Sequence, residues 1–213
     1  DGTALTMSMT TEDTVLTNNS NISFTVIFDE NVVGFSGEDL VLTNCTLTDF
    51  SGSDSTYMFT IEPVYNGDVI IEIPENACSD AAGNGNPSIH FTTFYDISPP
   101  EIIITEPTAG DMLKIGQDYA ISWQAHDNHE VKQVDVSHSL DGGANWIDLV
   151  LAQEDTSSYT WSIPNTPSDQ VQLRFISTDM IGNIGTTYIE NLSIVIVYPK
   201  ITSTYPEGNK LGW

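Results

Sequence analysis

Basic residues are scarce in this chain, and none occurs before Lys114. The sequence has 5 lysines and arginines against 30 aspartates and glutamates, which gives a formal net charge of −25 at pH 7. Because proteins that bind nucleic acid need a basic surface, this balance excludes nucleic acid as a partner. The carboxylates that precede Lys114 must therefore be solvated, capped by backbone N–H groups or bound to cations.

Long hydrophobic runs are also missing. No apolar stretch approaches the roughly 18 residues of a membrane-spanning helix, so we expect no membrane insertion of this segment. No N-terminal signal peptide is recognisable, and the abrupt ends at Asp1 and Trp213 suggest a piece of a longer protein.

Catalytic signatures are absent from the sequence as well. The segment 34–38 (GFSGE) has a serine between two glycines but lacks the final glycine of a nucleophile elbow. The sequence contains no phosphate-binding loop and no H-E-x-x-H zinc motif. We therefore expect a protein that is not an enzyme.

Cysteine is limited to two residues, Cys45 and Cys78. In an extracellular β domain such a pair can form one disulfide, which would close a loop of about 34 residues and stabilise the fold by about 3–4 kcal/mol. The alternative is two buried free thiols. A zinc site is not expected, because no C-x-x-C motif or nearby histidine pair accompanies the cysteines. The predicted state is the disulfide.

An internal repeat is the most informative feature that is present. The D-x-x-G-N motif at residues 80–84 returns at 179–183, a shift of 99 residues. The segment 102–113 has a second, weaker partner at 201–211, with isoleucine and proline again 99 residues apart. This period is about the length of one immunoglobulin-type sandwich.

Short segments with alternating hydrophobicity recur throughout the chain and are separated by turn residues. Residues 22–28 (ISFTVIF), for example, place four apolar side chains on one face. Repeated segments of this kind predict an all-β fold of two tandem immunoglobulin-like antiparallel β-sandwiches in an extended arrangement. The predicted domains are residues 1–96 and 97–198, joined through a proline-containing linker, with 199–213 as the start of a further repeat or a tail.

Two stretches resemble a known family. The run FTVIFDENVVGFSGEDLVLTN and its continuation to residue 86 resemble bacterial immunoglobulin-like repeats of large surface or adhesin-type proteins. The strings SLDGGANW and YTWSIPNTPSDQVQLRFISTDMIGN are similar to another bacterial immunoglobulin or fibronectin III-like domain. The resemblance implies a structural or adhesive spacer, located outside the cell or at its surface. Its partners would be neighbouring repeats of the same chain, and a cell-surface protein or glycan.

Calcium is the cofactor that the acidic turns suggest. An aspartate and an asparagine four residues apart on a glycine turn can bring two hard oxygens together, although Ca²⁺ requires six to eight. The motif is not an EF-hand loop. In the alternative interpretation, the aspartate caps turn N–H groups and no cation binds. Resemblance to calcium-bound adhesin repeats adds support for the cation but leaves both interpretations open. A metal between the domains would stiffen the chain. The candidate ligands are Asp80, Asn84, Glu30, Glu38 and Asp96 in the first domain, and Asp179, Asn183, Asp127, Asn128 and Glu101 in the second.

Two further groups suggest other ligands. His126 and His129 have the spacing of a transition-metal pair but lie in a polar loop, where such residues are ordinary. The tryptophans Trp123, Trp146 and Trp161 would suit a carbohydrate-binding accessory module of a secreted hydrolase. Their positions in alternating strands favour core residues over a sugar platform.

Overall fold

A computed structural model describes residues 2–13, 15–153 and 157–198 of the chain. The predicted tail at 199–213 lies outside these ranges. Within the described ranges, sixteen strands and one short 3₁₀ turn (Gly37–Asp39) are formed, so the all-β prediction is confirmed. The strands are β1 Met7–Thr11, β2 Leu16–Thr17, β3 Ile22–Phe28, β4 Val41–Thr43, β5 Cys45–Ser53, β6 Thr56–Pro63, β7 Gly67–Ile73, β8 Ile89–Tyr95, β9 Glu101–Glu106, β10 Met112–Lys114, β11 Asp118–His126, β12 Val131–Ser139, β13 Ile147–Gln153, β14 Ser158–Ser162, β15 Ser168–Asp179 and β16 Ile184–Val195.

The chain forms two compact units. Unit 1 comprises Asp1–Pro100 together with two later segments, His126–Lys132 and Thr178–Gly185. Unit 2 comprises Glu101–Ala125, Gln133–Ser177 and Thr186–Trp213. The two later segments of unit 1 contain the turn that joins β11 to β12 and the turn that joins β15 to β16.

Unit 1 contains two four-stranded sheets, with strand orders β1-β3-β6-β5 and β2-β8-β7-β4. Strand β3 illustrates how the sequence determines which face of a strand is buried, because its side chains alternate between the core and the outer face. Its core residues Ile22, Phe24, Val26 and Phe28 are all buried, as their alternation predicted. Phe24 stacks on Phe59 of β6, with ring centroids 5.0 Å apart.

Unit 2 contains a five-stranded sheet, β10-β16-β15-β12-β13, and a three-stranded sheet, β14-β11-β9. Its core is made by alternating residues of the central strands, and Trp123 packs edge-on against Phe175 with centroids 5.6 Å apart. The buried apolar residues of this unit include Leu113, Ile121, Trp123, Val134, Val136, Trp161, Val171, Leu173, Phe175, Leu192 and Ile194.

Two short pairings depart from the predicted antiparallel pattern. β2 pairs in parallel with β8, and β10 pairs in parallel with β16. Both added strands have only two or three residues, which is too short for an alternating pattern to be recognised in the sequence. Within the described ranges, no helix has the length and hydropathy that a membrane crossing requires.

Candidate metal centre

The first D-x-x-G-N motif forms a self-contained turn after β7. The Oδ1 atom of Asp80 accepts hydrogen bonds from the backbone N–H groups of Ala82 (2.8 Å) and Asn84 (2.9 Å). Its Oδ2 atom accepts from the Asn84 carboxamide at 2.8 Å, and Gly83 takes a left-handed φ of 90°. Hydrogen bonds from the Asn84 side chain and backbone hold the pKa of Asp80 below its ordinary value.

The second motif repeats this geometry between β15 and β16. The Oδ1 atom of Asp179 accepts from the N–H groups of Ile181 (2.8 Å), Gly182 (2.6 Å) and Asn183 (2.8 Å). Its Oδ2 atom accepts from the Asn183 carboxamide at 2.7 Å. Gly182 has φ of 98°, a conformation that glycine adopts at little cost. Both turns therefore use the aspartate as a cap, as the alternative interpretation of the motif expected.

The two turns differ in what surrounds them. The carboxylates of Asp96, Asp127 and Asp179 each offer an oxygen, and these oxygens all lie within 4.8 Å of one another. Asp96 and Asp179 are 0% and 1% exposed, and Asp127 is half-buried. All three belong to unit 1, in its segments 1–100, 126–132 and 178–185. We call this group the three-aspartate cluster.

Two oxygens of the three-aspartate cluster lack a hydrogen-bond donor. The Oδ2 atoms of Asp96 and Asp127 are both buried and accept no hydrogen bond. Their Oδ1 atoms are satisfied, by the backbone N–H of Ser98 at 2.8 Å and that of His129 at 3.0 Å. A buried polar atom without a partner costs about 1–3 kcal/mol, and more when it is charged, so such atoms in folded proteins indicate a bound water or ion.

Charge repulsion in the cluster favours a cation over a water. Two like unit charges at 4.8 Å repel by roughly 3 kcal/mol at an effective dielectric constant near 20. Lys132, which is exposed, is the single lysine or arginine in the sequence of unit 1. A divalent cation would remove the repulsion and satisfy both orphaned oxygens.

The donor set and its spacing suit calcium. Carboxylate oxygens are the hard ligands that Ca²⁺ prefers, at about 2.3–2.6 Å from the ion. Two ligands on opposite sides of Ca²⁺ are therefore about 5 Å apart, so oxygens within 4.8 Å of one another can bind one ion with little movement. The remaining ligands would come from second carboxylate oxygens or water.

The structure brings together three of the predicted ligands and leaves the others outside. Among the described residues, no other group of three His, Cys, Asp or Glu side chains has ligand atoms this close. Asp80 and Glu30 therefore lie outside the cluster, although both belong to the predicted set. The same holds for the other acidic candidates, the exposed Glu38 and Glu101.

The asparagines of both motifs donate hydrogen bonds that position the aspartates. Asn183 donates through Nδ2 to Asp179 Oδ2 and to the backbone carbonyl of Asp96 at 3.1 Å. Its Oδ1 accepts from Asn18 Nδ2 at 3.3 Å. Asn183 thus joins two members of the cluster, whereas Asn84 holds only its own Asp80. The contribution of Asn18 has no sequence signal, because residue 18 lies in a polar loop far from residue 183.

A third turn of the same kind was missed by sequence reasoning. The Oδ1 of Asp141 accepts from Asn145 N–H at 2.8 Å and from the Ser139 hydroxyl at 2.7 Å, and its Oδ2 accepts from Asn145 Nδ2 at 2.6 Å. The side-chain and backbone donors of Asn145 lower the pKa of Asp141 to about 2. The D-x-x-x-N spacing with internal glycines was the available signal.

The predicted disulfide is not formed, because Cys45 and Cys78 are free thiols. Cys45 begins edge strand β5 opposite Pro63, where it is half-buried. Cys78 lies in the segment after β7, buried in the core of unit 1, and its N–H donates to Asn86 Oδ1 at 2.8 Å. Burial raises the pKa of both thiols, that of Cys78 to about 11. Cys78 therefore acts as a small apolar core residue, and Cys45 packs against the same core while partly exposed.

The histidines and tryptophans have mainly structural environments. His126 and His129 are exposed, and the His129 ring packs edge-on against Phe94 at 5.1 Å. Trp123 and Trp161 are each 2% exposed and belong to the core of unit 2.

Trp146 is half-buried, and its ring is covered on one side by a cation. The guanidinium carbon of Arg174 lies 4.6 Å from the centroid of the Trp146 ring. Tyr188 packs beside it, with ring centroids 5.9 Å apart. This arrangement is typical of a cation–π contact within a sheet face rather than of an open stacking surface for sugars.

Comparison with protein families gives two successive matches. A family described as "Bacterial Ig-like domain" matches residues 1–97, and a family described as "Bacterial Ig domain" matches residues 100–174. A search of curated protein sequences returns no match to the chain.

Several solved structures are similar to this chain at low identity. Fibronectin(III)-like modules of CbhA from Clostridium thermocellum are 13% identical, with 89% of this chain and 95% of that chain covered and a TM-score of 0.42. The adhesin InvE of Yersinia pseudotuberculosis is 13% identical, with 88% and 58% covered and a TM-score of 0.28. The eight N-terminal Ig domains of Down Syndrome Cell Adhesion Molecule are 12% identical, with 92% and 25% covered and a TM-score of 0.47.

Proposed function

We propose, because this chain belongs to the bacterial immunoglobulin-like family and carries two such domains in tandem, that it is a non-catalytic structural and adhesive segment. We place it in an extracellular or cell-surface protein, where its partners are neighbouring domains of the same chain and a cell-surface protein or glycan. The lowered pKa values of two carboxyl groups support a non-catalytic role. Asp80 and Asp141 are held in turns by hydrogen bonds from asparagines, which stabilise their charged forms.

Calcium is the proposed ligand of the three-aspartate cluster. The observation that carries this proposal is the pair of buried, unpartnered Oδ2 atoms on Asp96 and Asp127, in a cluster where these residues and Asp179 each bring one carboxylate oxygen within 4.8 Å of the others. In an acidic protein outside the cell, millimolar calcium would keep such a site filled even at the modest affinity of extracellular modules. The ion would convert a repulsive cluster into a cross-link.

The mechanical effect follows from the segments that contribute ligands. Asp127 lies in the turn between β11 and β12, and Asp179 ends β15 just before the turn to β16. Asp96 directly follows β8. A cation held by all three restrains the end of the first sandwich and two turns of later strands at once. Calcium would thereby reduce the flexibility of these three segments of unit 1.

Thermal unfolding with and without calcium tests the proposal. Calcium at 10 times Kd stabilises the folded state by about 1.4 kcal/mol, which corresponds to a rise in Tm of about 5–10 °C for a domain of this size. We expect this rise for the wild-type chain in millimolar CaCl₂ relative to EDTA, at matched ionic strength. Asp179→Asn should abolish most of it.

Asp80→Asn is the matched control. Asp80 occupies the same position in a turn of the same geometry but has no partners in the three-aspartate cluster. Its variant should lower Tm in EDTA and still respond to calcium like wild type. A wild-type Tm that does not change with calcium, or an equal loss of response in both variants, would refute the calcium site.

A further inference from the structure

The polar atoms of Asp96 are almost all committed to neighbours. Its backbone N–H donates to Thr17 O at 3.0 Å, and its carbonyl accepts from Asn183 Nδ2 at 3.1 Å. Its Oδ1 accepts from Ser98 N–H at 2.8 Å. Only Oδ2 remains without a donor, and the residue is 0% exposed. The orientation of this one oxygen therefore depends on the hydrogen bond that Ser98 makes to the other.

A single side chain from a distant hairpin holds Ser98 in place. Asn66 lies in the turn between β6 and β7, about 30 residues before Asp96 in the sequence. Its Oδ1 accepts from Ile97 N–H at 3.1 Å, and its Nδ2 donates to the Ser98 hydroxyl at 2.6 Å. The Asn66 carboxamide thus forms hydrogen bonds with both residues that directly follow Asp96.

We propose that Asn66 is a positioning residue of the cation site. By fixing Ile97 and Ser98, it keeps the Ser98 N–H on Asp96 Oδ1 and so directs Oδ2 toward Asp127 and Asp179. This inference rests on the calcium site proposed above and extends it to a residue that does not contact the ion. Groups that orient metal ligands typically contribute 10- to 100-fold to affinity, because a free ligand must otherwise be ordered when the ion binds.

The chemistry of position 66 suggests a rescue variant. An aspartate there keeps an oxygen for Ile97 N–H, and its second oxygen can accept a hydrogen bond from the Ser98 hydroxyl. An alanine loses both contacts. The Asn66→Asp variant should therefore keep the segment 97–98 in place, whereas Asn66→Ala should release it.

Two measurements on the full chain test this role. In EDTA, amide hydrogen exchange should be faster at Ile97 and Ser98 in Asn66→Ala than in wild type, and unchanged in Asn66→Asp. In calorimetric titrations with CaCl₂, Asn66→Ala should raise Kd by roughly tenfold. Asn66→Asp should bind at least as tightly as wild type, and Ser98→Ala, which removes one of the two contacts, should fall between.

The outcomes separate this inference from the proposed function. If wild type binds calcium and Asn66→Ala binds with the same Kd, the positioning role is wrong and the calcium site stands. Equal weakening in the Ala and Asp variants also contradicts the role, because the rescue variant keeps both contacts. If wild type binds no calcium, both proposals fail.

Discussion

Aspartate–asparagine pairs four residues apart recur three times in this chain, at Asp80, Asp141 and Asp179. In each pair the asparagine carboxamide donates to one carboxylate oxygen, while its backbone N–H donates to the other. The motif therefore specifies a turn with an ionised aspartate at its centre. Only at Asp179 do two further carboxylates approach, so the neighbours rather than the motif create the proposed cation site.

Asp141 offers a direct test of this turn chemistry. Because hydrogen bonds from Asn145 and Ser139 stabilise its charged form, its pKa is lowered to about 2, against about 3.9 in an unfolded chain. A depressed folded-state pKa adds stability above about pH 4, and that stability is lost as pH falls toward 2. Carboxyl chemical shifts followed by NMR should show Asp141 titrating near 2.

Asn145→Ala removes the largest of these interactions and should move the Asp141 pKa back toward its ordinary value. Asn84→Ala, in the corresponding turn of unit 1, is the control and should leave Asp141 unchanged. A wild-type Asp141 that titrates at its ordinary pKa would contradict the hydrogen-bonding pattern of this turn.

Strands of five or more residues were predictable from the sequence because their alternation is an intrinsic property of the pleat. The segment 22–28 was predicted with the same bounds and the same buried face that β3 shows. The two short parallel strands, β2 and β10, were missed because neither contains enough residues for a period. Their formation depends on strands β8 and β16, which are distant in sequence.

The candidate site was also only partly predictable, because its geometry depends on residues that are distant in sequence. Asp96, Asp127 and Asp179 were each candidate ligands, but the sequence assigned Asp96 to one site and the other two to another. Their convergence depends on strand order, which is a non-local property of the fold. The hairpin residue Asn66 carried no signal of its role, since its contacts to Ile97 and Ser98 exist only in the folded chain.

Strand β6 allows core and surface contributions to be compared within one element. Ile61 is 0% exposed and faces the core of unit 1, whereas Met58 is 55% exposed on the outer face. Ile61→Ala should lower the free energy of unfolding by about 2–5 kcal/mol, because it leaves a cavity in a packed core. Met58→Ala should change it by less than about 0.5 kcal/mol. Urea denaturation of both variants checks the difference, and similar losses would contradict the assigned faces.

The whole molecule carries a net charge of −25, with its basic residues confined to positions after 113. Such a charge destabilises the compact state through self-repulsion, and monovalent salt relieves it by screening. Screening acts gradually and on all carboxylates together. The proposed calcium ion at the three-aspartate cluster would instead act at one place, with saturation, and at concentrations that change ionic strength very little.

The number of calcium ions bound per chain is the most direct test of the central claim. Because only one of the two D-x-x-G-N turns meets further carboxylates, calorimetric titration in 0.15 M NaCl should give one saturable site per wild-type chain. Asp96→Asn or Asp179→Asn should remove that site, and Asp80→Asn should keep it. No saturable binding, or two equivalent sites per chain, would contradict the account.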